Sequence, residues 1–213
     1  MLSSQDRIIL FTRYPHPGRC KSRLIPALGK EGAADIHRLL VSHVLVTLHH
    51  LTTVHRDIEC HIYYANSSPQ QMKEWLGNDY PFFAQEGSDL GTRMANCLAH
   101  GLKSEKNTLL IGSDCPDITP GILEEGMSAL HDRELVLGPA HDGGYYLIGV
   151  AAGFRQESLE QLFTGICWGT DTVFQETLDR AEQLGLTPHI LTKLHDIDEA
   201  EDLKHFHHRP HPG

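Results

Sequence analysis

The chain has 213 residues and a formal net charge of -10, with 40% hydrophobic and 22% charged residues. This length fits one large domain, and the composition is that of a globular protein and not of a disordered one. The acidic excess excludes a general surface for nucleic acid or for an anionic membrane, because either partner requires an exposed basic face. Any phosphate site must therefore be a local concentration of positive charge.

The five cysteines are odd in number and widely spaced, and no Cys-x-x-Cys pair occurs, so neither a zinc site nor a disulfide framework is indicated. No apolar run approaches the roughly 18 residues of a membrane span. The first residues also lack the pattern of a secretory signal. We therefore expect reduced thiols in a cytoplasmic protein. We expect one domain over residues 1–204 and a disordered tail over residues 205–213.

The first half of the chain alternates between strand and helix patterns. Short apolar runs predict strands, and apolar residues at helical spacing predict helices. The predicted elements are a strand at 7–12, a helix at 31–51, a strand at 58–65, a helix at 69–76, a weak strand at 81–85, a helix at 90–102 capped by Ser88 or Asp89, and a strand at 108–112.

The second half continues with a helix that opens at Thr119-Pro120 and runs to about residue 130. The remaining predicted elements are strands at 134–137 and 145–150, a helix at 170–184, a short strand at 188–191 and a terminal helix from Glu199. This alternation predicts right-handed β-α-β units, a mostly parallel sheet and a three-layer α/β/α fold. Ligands of such folds bind beyond the carboxyl ends of the strands.

The segment after the first strand, residues 11–24 (FTRYPHPGRCKSRL), is the first to indicate chemistry. Its prolines and Gly18 prevent a helix and force a turn. Four of the chain's 18 Lys and Arg residues fall within eleven positions: Arg13, Arg19, Lys21 and Arg23. A strand, a glycine-containing loop and clustered donors are typical of a phosphate site. It is not a P-loop, because Gly-x₄-Gly-Lys-Ser/Thr is absent. The alternative is a solvated basic turn.

The second segment, residues 109–119 (LLIGSDCPDIT), places Asp114 at the end of the strongest central strand. Magnesium prefers oxygen ligands and often bridges one or two carboxylates to substrate phosphates. Asp114 is therefore a candidate metal ligand, against the alternative of a turn residue at a strand end. Asp117, three residues later, is better explained as a residue at the entry of a helix.

The third segment, residues 137–149 (LGPAHDGGYYLIG), has the spacing of a hairpin with an Asp-Gly turn. The functional alternative is that Gly143 and Gly144 let a substrate approach the backbone, with Asp142 binding hydroxyl groups or acting as a base. Tyr145 lies beside them as a further substrate-binding candidate.

The fourth segment, residues 195–203 (HDIDEAEDL), follows the final strand. Asp196 or Asp198 could lie beside Asp114 and supply a second carboxylate. The alternative is an acidic first turn of the last helix, which the helix dipole favours. Two single residues complete the candidates. Arg93 near a helix start is a further phosphate donor, and Trp168 is either a core residue or a stacking platform.

These segments, in this order, resemble the bacterial DUF2064 family of transferase-like proteins, which have the nucleotide-diphospho-sugar transferase (GT-A, Rossmann-like) fold. The resemblance runs from about Ile8 to Leu203. The motifs that carry it are PxPGxxKxRL at 15–24, GSDCPD at 112–117, GPAxDGGYYLIG at 138–149 and the region of Trp168. The layout is also similar to the guanylyltransferases that activate phospholactate or phosphoenolpyruvate.

The resemblance implies roles for residues at matching positions. The loop after the first strand would bind nucleotide phosphates, and Asp114 would bind Mg²⁺ (or Mn²⁺). The second metal ligand would be Asp198, and Asp196 is the next candidate. The implied phosphate-binding residues are Arg13, Gly18, Lys21 and Arg23. Thr12 and Arg93 are further phosphate-binding candidates. Ser22 stands where Thr is common, and Glu199-Ala200 replaces the usual Thr-Pro, which weakens the match at Asp198.

Three functions follow, in order of preference. The first is a magnesium-dependent transferase acting on a nucleoside triphosphate or a nucleotide sugar, with nucleotidyl transfer slightly favoured and with Lys21, Asp114 and Asp142 as catalytic residues. The second is a glycosyltransferase with a nucleotide-diphospho-sugar donor. The third is a non-catalytic nucleotide- or sugar-phosphate-binding protein. The expected partners are a nucleotide and a small-molecule acceptor, with no nucleic acid and no membrane. Whether the protein forms a homodimer is open.

Overall fold

The structure is a computed structural model that describes residues 6–206. Within this range the strands are β1 (Asp6–Arg13), β2 (Glu59–Ala65), β3 (Phe82–Ala84), β4 (Asn107–Ile111), β5 (Leu135–Pro139), β6 (Tyr145–Val150) and β7 (His189–Ile190). The α-helices are α1 (Ile25–Val54), α2 (Pro69–Leu76), α3 (Leu90–Leu102), α4 (Pro120–Ala129), α5 (Gln156–Phe163) and α6 (Val173–Gln183). Two 3₁₀-helices cover Ser22–Leu24 and Ala200–His205.

The strands form one sheet in the order β3-β2-β1-β4-β6-β5-β7. β1 pairs in parallel with β2 and β4, and β2 with β3. β6 runs antiparallel to both β4 and β5, whereas β7 is parallel to β5. The mostly parallel sheet is thus confirmed. The predicted hairpin explains the exception, because a turn as short as 140–144 can join only antiparallel strands.

Helices cover both faces of the sheet, which confirms the three-layer prediction. One buried cluster packs α1, α2 and α4 against the sheet through residues such as Val41, Met72 and Leu123. The other packs α3, α5 and α6 through residues such as Leu98 and Leu159. Strands covered on both faces have near-continuous apolar sequences, as β1 and β4 do. Each fully buried Leu, Ile or Met side chain contributes about 1.5–3 kcal/mol.

Three elements differ from the prediction. α1 begins at Ile25, and Gly29 (φ 72°, ψ 173°) joins two helical pieces within it. α5 was not predicted, because its eight residues QESLEQLF are too few to show a convincing period. The predicted terminal helix is a 3₁₀-helix that ends at His205. Most of the predicted tail, residues 207–213, lies outside the described residues.

None of the helices within residues 6–206 is both long and apolar enough to cross a membrane.

His61 on β2 makes the fold sensitive to acid. Its side chain is 14% exposed, and within the described residues its Nδ1 is buried without a hydrogen-bond partner. Burial, helped by the charge of Arg7 and opposed by Glu59, lowers the pKa of His61 from 6.5 to about 4. Burial penalises the charged imidazole by more than Glu59, 3.7 Å from its Nε2, favours it, so His61 resists protonation.

We expect the free energy of unfolding to fall as the pH drops from 6.5 to 4, by about 3 kcal/mol from His61. The sign follows from the lowered pKa, because the unfolded chain binds the proton first, and above pH 6.5 the residue contributes nothing. Urea denaturation at pH 7, 5 and 4 measures the slope. His61→Gln should flatten it, and the exposed control His50→Gln should not. An equal slope in wild type and His61→Gln would contradict the assignment.

Candidate functional site

The loop after β1 turns back toward the carboxyl edge of the sheet and places Lys21 there. Gly18 has φ 79°, in the left-handed region that glycine occupies without strain. Lys21 has φ 47° and ψ 49°, which is uncommon for a residue with a side chain and is typical of functional sites. The left-handed turn precedes the 3₁₀-helix and buries Lys21, of which only 8% is exposed.

The Lys21 ammonium is the point at which three distant segments meet. Its Nζ lies 2.8 Å from Asp114 Oδ1 at the end of β4 and 3.8 Å from Asp198 Oδ1. It also donates a 2.6 Å hydrogen bond to the Ile197 carbonyl. The two aspartates predicted as metal ligands are therefore brought together around one cation of the chain itself.

Asp114 is ionised in this arrangement. Its side chain is 51% exposed, at the floor of a concave site. Desolvation by the surrounding protein opposes ionisation, but the charge and hydrogen bond of Lys21, together with His37 and Arg13, hold the pKa of Asp114 below its usual range. The Ile197 N–H donates to the Asp114 carbonyl at 2.9 Å, which fixes the C-terminal segment to the end of β4.

Asp196 and Asp198 point to different neighbours. Asp198 contacts Lys21 and Arg23, the latter at 3.1 Å. Asp196 instead accepts a hydrogen bond of 3.3 Å from the Asp142 N–H. Burial and the negative charge of Asp142 raise the pKa of Asp196. Of the two candidates for the second metal ligand, the structure places Asp198 beside Asp114 and Asp196 beside Asp142.

A first cavity of about 480 Å³ opens at the carboxyl ends of β1 and β4. Predicted residues in its lining are Thr12, Arg13, Lys21, Arg93, Asp114 and Asp198. The lining residues that sequence reasoning missed are Phe11, Cys20, Ser22, His37, Ala65, Asn66, Gln85, Asp89, Leu90, Gly112 and Ser113. Thr12 is buried, with its Oγ1 3.5 Å from Ser113 Oγ. Three of the chain's cationic side chains thus face one cavity.

Two missed residues hold the wall of this cavity in place. Buried His37 on α1 donates from Nε2 to the Arg13 carbonyl at 3.0 Å, and burial lowers its pKa although Asp114 opposes the shift. Gln85 donates to the carbonyls of Thr12 (2.7 Å) and Tyr63 (3.0 Å), and so ties β1 to β2. A lone histidine on an apolar helix face and a glutamine after a weak strand give no signal in a sequence.

The start of α3 closes the first cavity. Asp89 is the helix cap, accepting the Thr92 N–H at 2.8 Å, which decides between the two predicted caps. Arg93 lines the cavity, and its Nε donates to the Gly87 carbonyl at 3.0 Å. A polar helix start therefore faces the loop of Lys21 across the cavity.

A second cavity of about 430 Å³ adjoins the first and shares Leu90, Asp114 and Asp198 with it. Its other lining residues are Arg23, Met94, Asp142, Gly144, Tyr145, Trp168, Gly169, Thr170, Asp171 and Val173. Four residues predicted for the acceptor, Asp142, Gly144, Tyr145 and Trp168, are brought together here. Arg23, predicted for phosphate, lines this cavity and not the first, and Gly18 lines neither.

Two glycines allow the walls of the second cavity to approach closely. A Cβ on Gly143, which has φ 90°, would lie 2.0 Å from the Asp171 carbonyl oxygen. A Cβ on Gly91 would lie 2.6 Å from the indole ring of Trp168. The hairpin turn therefore rests on the loop before α6, and Trp168 rests on the start of α3. Gly143 acts through packing and does not line the cavity.

The loop 167–172 is held by Glu176, which sequence reasoning also missed. One carboxylate oxygen accepts the Cys167 N–H at 2.8 Å, and the other accepts the Thr172 hydroxyl at 2.7 Å. These two hydrogen bonds lower the pKa of Glu176. These contacts tie the start of α6 to the loop that carries Trp168.

Asp114 and Asp198 line both cavities and so mark their junction. Their chemistry fits a divalent cation that is shared with a phosphate substrate. Within residues 6–206 no group of three or more His, Cys, Asp or Glu side chains is placed to hold a metal. Asp114 and Asp198 nevertheless converge on one point, the Lys21 ammonium. Magnesium is commonly held by one or two carboxylates together with phosphate oxygens and water. Asp114 and Asp198 would supply the protein part of such a set.

Among solved structures, the chain is similar to a candidate nucleotide-diphospho-sugar transferase from Desulfovibrio desulfuricans G20. The two are 33% identical, with a TM-score of 0.84 over 94% of this chain and 85% of that chain. Two more distant structures share the fold. One is CMP:2-keto-3-deoxy-manno-octonic acid synthetase in complex with CTP, at 12% identity and a TM-score of 0.53, covering 94% of this chain and 96% of that chain.

The other is Rv0371c from Mycobacterium tuberculosis H37Rv in complex with manganese, at 11% identity and a TM-score of 0.54, covering 94% of this chain and 97% of that chain. The chain matches none of the curated proteins. The sequence model of DUF2064, described as "uncharacterized protein conserved in bacteria", matches residues 47–170, which is more than half of the chain. The protein belongs to the DUF2064 family and has the fold of the nucleotide-diphospho-sugar transferases.

Proposed function

We propose that the protein is a magnesium-dependent transferase that binds the phosphates of a nucleotide substrate in the first cavity. The observation that carries this proposal is the contact of Lys21, which lines the first cavity, with Asp114 and Asp198, which line both cavities and so mark their junction. A substrate phosphate at this junction can contact the ammonium and share a cation with the two carboxylates. A second substrate group can reach the same phosphate from the second cavity.

The chain's own residues would act by positioning and by charge. Arg13, Lys21 and Arg93 line the first cavity and would neutralise the phosphates, which is the main requirement of phosphoryl-type transfer. Asp114 and Asp198 would hold Mg²⁺ or Mn²⁺, and the bound cation would stabilise negative charge on the phosphate oxygens. Lys21 would exchange its contacts with the two aspartates for contacts with phosphate.

We favour nucleotidyl transfer with pyrophosphate as the leaving group. Three cationic side chains in one cavity suit a triphosphate better than a diphosphate. The synthetase with the same fold was solved with CTP, a triphosphate. Asp142 would act on the acceptor, since it lines the second cavity and its Oδ1 is oriented by the Gly144 N–H at 2.8 Å. Its carboxylate is placed to accept a proton from a hydroxyl group.

Glycosyl transfer from a nucleotide-diphospho-sugar is the second candidate. It is favoured by the 33% identity to the candidate nucleotide-diphospho-sugar transferase. The second cavity would then hold the sugar of the donor, with Asp142 as base. A non-catalytic binding protein is the third candidate. The intact set of Lys21, Asp114 and Asp198 argues against it, because a site that has lost its catalytic function usually loses its metal-binding carboxylates.

A thermal-shift screen of nucleoside triphosphates and nucleotide sugars, with Mg²⁺ or with EDTA, tests the proposal. We expect at least one triphosphate to raise the melting temperature in the presence of Mg²⁺ only. A ligand at 100 times its dissociation constant adds about 2.7 kcal/mol of stability. A response to UDP- or GDP-sugars alone would favour glycosyl transfer. Stabilisation by none of these nucleotides would contradict the proposed function.

A further inference from the structure

Cationic side chains are unevenly distributed between the two cavities. Arg13, Lys21 and Arg93 all line the first cavity, and none of them lines the second. The carboxylates that line the second cavity are Asp114, Asp142, Asp171 and Asp198. Its one cation, Arg23, is already engaged by Asp198 at 3.1 Å and by Glu199 at 3.5 Å. The second cavity is therefore the more acidic of the two, because the first balances its three carboxylates, Asp89, Asp114 and Asp198, with three cations.

Two of these carboxylates have no cationic partner in the part of the chain that the structure describes. Asp114 and Asp198 contact Lys21 and would hold the metal ion. Within residues 6–206 no salt bridge reaches Asp142 or Asp171, and both are exposed. The Gly144 N–H fixes one oxygen of Asp142 and leaves the other for a ligand. This end of the cavity offers hydrogen-bond acceptors and repels anions.

An aromatic wall stands beside these acceptors. The Trp168 indole lies against Gly91, with Phe163 stacked behind it at a centroid distance of 6.0 Å and an interplanar angle of 23°. The neighbouring lining residues Tyr145 and Met94 extend this apolar surface. The face of an indole ring attracts C–H groups and cations and repels anions. Glu176 holds the loop by two hydrogen bonds, and Gly91 leaves room for the indole ring against α3.

We infer that the second cavity takes a hydroxyl-bearing ring that is uncharged or carries an amine, and that it excludes phosphate and carboxylate groups. The ring packs on Trp168, and its hydroxyl or ammonium groups donate to Asp142 and Asp171. This inference rests on the proposed function, which assigns the phosphates to the first cavity. It specifies the substrate class of the neighbouring cavity.

A charge series on one sugar ring tests this inference. Glucosamine, glucose and glucuronate are titrated against a Trp75→Phe protein, in which Trp168 is the remaining one of the two tryptophans. We expect glucosamine and glucose to change Trp168 fluorescence with midpoints at least about tenfold below that of glucuronate. The difference between the midpoints of glucosamine and glucuronate should become smaller in 1 M salt, because salt screens exposed charges. Equal midpoints, a preference for glucuronate or no response to any sugar would overturn the inference.

Matched variants locate the site. The double variant Asp142→Asn, Asp171→Asn should reduce the ratio of the glucuronate midpoint to the glucosamine midpoint at least about fivefold. Gly91→Ala should abolish the response by displacing Trp168, whereas Gly153→Ala, where a Cβ meets nothing within 4 Å, should keep it. Response patterns that do not differ between these variants would also overturn the inference. The nucleotide thermal shift is measured on the same proteins. If nucleotides raise the melting temperature but the sugars do not bind, the inference is wrong and the proposed function stands. If the sugars bind but no nucleotide raises the melting temperature, the proposed function is wrong.

Discussion

Replacing Asp114 by Asn is expected to abolish the magnesium-dependent part of nucleotide binding while the protein stays folded. The substitution keeps the shape of the side chain and removes its charge, which leaves Asp198 as the remaining carboxylate at the junction. Lys21 also loses its closest anionic partner, at 2.8 Å. We expect a loss of roughly 100-fold in affinity with Mg²⁺ present, about 2.8 kcal/mol. Calorimetry with Mg²⁺ and with EDTA measures it.

Asp117→Asn is the matched control, because Asp117 is exposed and lies three residues later in the same segment. It lines neither cavity and should retain the affinity of the wild type with Mg²⁺. A normal melting temperature for Asp114→Asn separates a lost ligand from a lost fold. If Asp114→Asn binds nucleotide as tightly as wild type in Mg²⁺, Asp114 is not a metal ligand.

Replacing Lys21 by Met should have two opposite effects. Triphosphate binding should weaken by about 1.5–3 kcal/mol, the usual contribution of a hydrogen bond to a charged group, or roughly 10- to 150-fold in affinity. A divalent cation alone should bind more tightly than in wild type, because the ammonium no longer neutralises Asp114 and Asp198. Calorimetric titration with a triphosphate and, separately, with Mn²⁺ alone measures both effects. Methionine retains the length of the buried stem.

Arg23→Ala is the informative comparison for this variant. Arg23 was predicted to bind phosphate, but it lines the second cavity and contacts Asp198 and Glu199. Its removal should therefore weaken triphosphate binding less than Lys21→Met does. A larger loss from Arg23→Ala would show that the triphosphate extends into the second cavity, which would overturn the division of roles between the cavities.

The sheet could be predicted because its signals are local. Apolar runs such as TLLIG and the Asp-Gly turn between β5 and β6 depend on neighbouring residues only. α2 and α3 have the predicted bounds because Pro69 and Asp89 mark their starts. α5 was missed for the opposite reason, since it is short and is stabilised by packing against α3 and not by its own pattern.

The site could be predicted as a set of segments but not as an arrangement. The motifs identified Lys21, Asp114, Asp142 and Asp198, yet no local signal shows that one lysine would bridge two of the aspartates. The side chains that orient the site, His37, Gln85 and Glu176, act through contacts made in three dimensions. Which of Asp196 and Asp198 contacts Lys21 likewise depends on the path of the chain after the last strand.

The contacts of Ile197 have a consequence for the order in which the site can assemble. Its carbonyl accepts from Lys21, 176 residues earlier, and its N–H donates to the Asp114 carbonyl. All seven strands within the described residues precede it in the chain, so the sheet can form before Ile197 and Asp198 take their places. The loop that carries Lys21 is then present without its last partner. A protein shortened to residue 195 should therefore fold its sheet, and we expect it to bind nucleotide more weakly than the 213-residue chain.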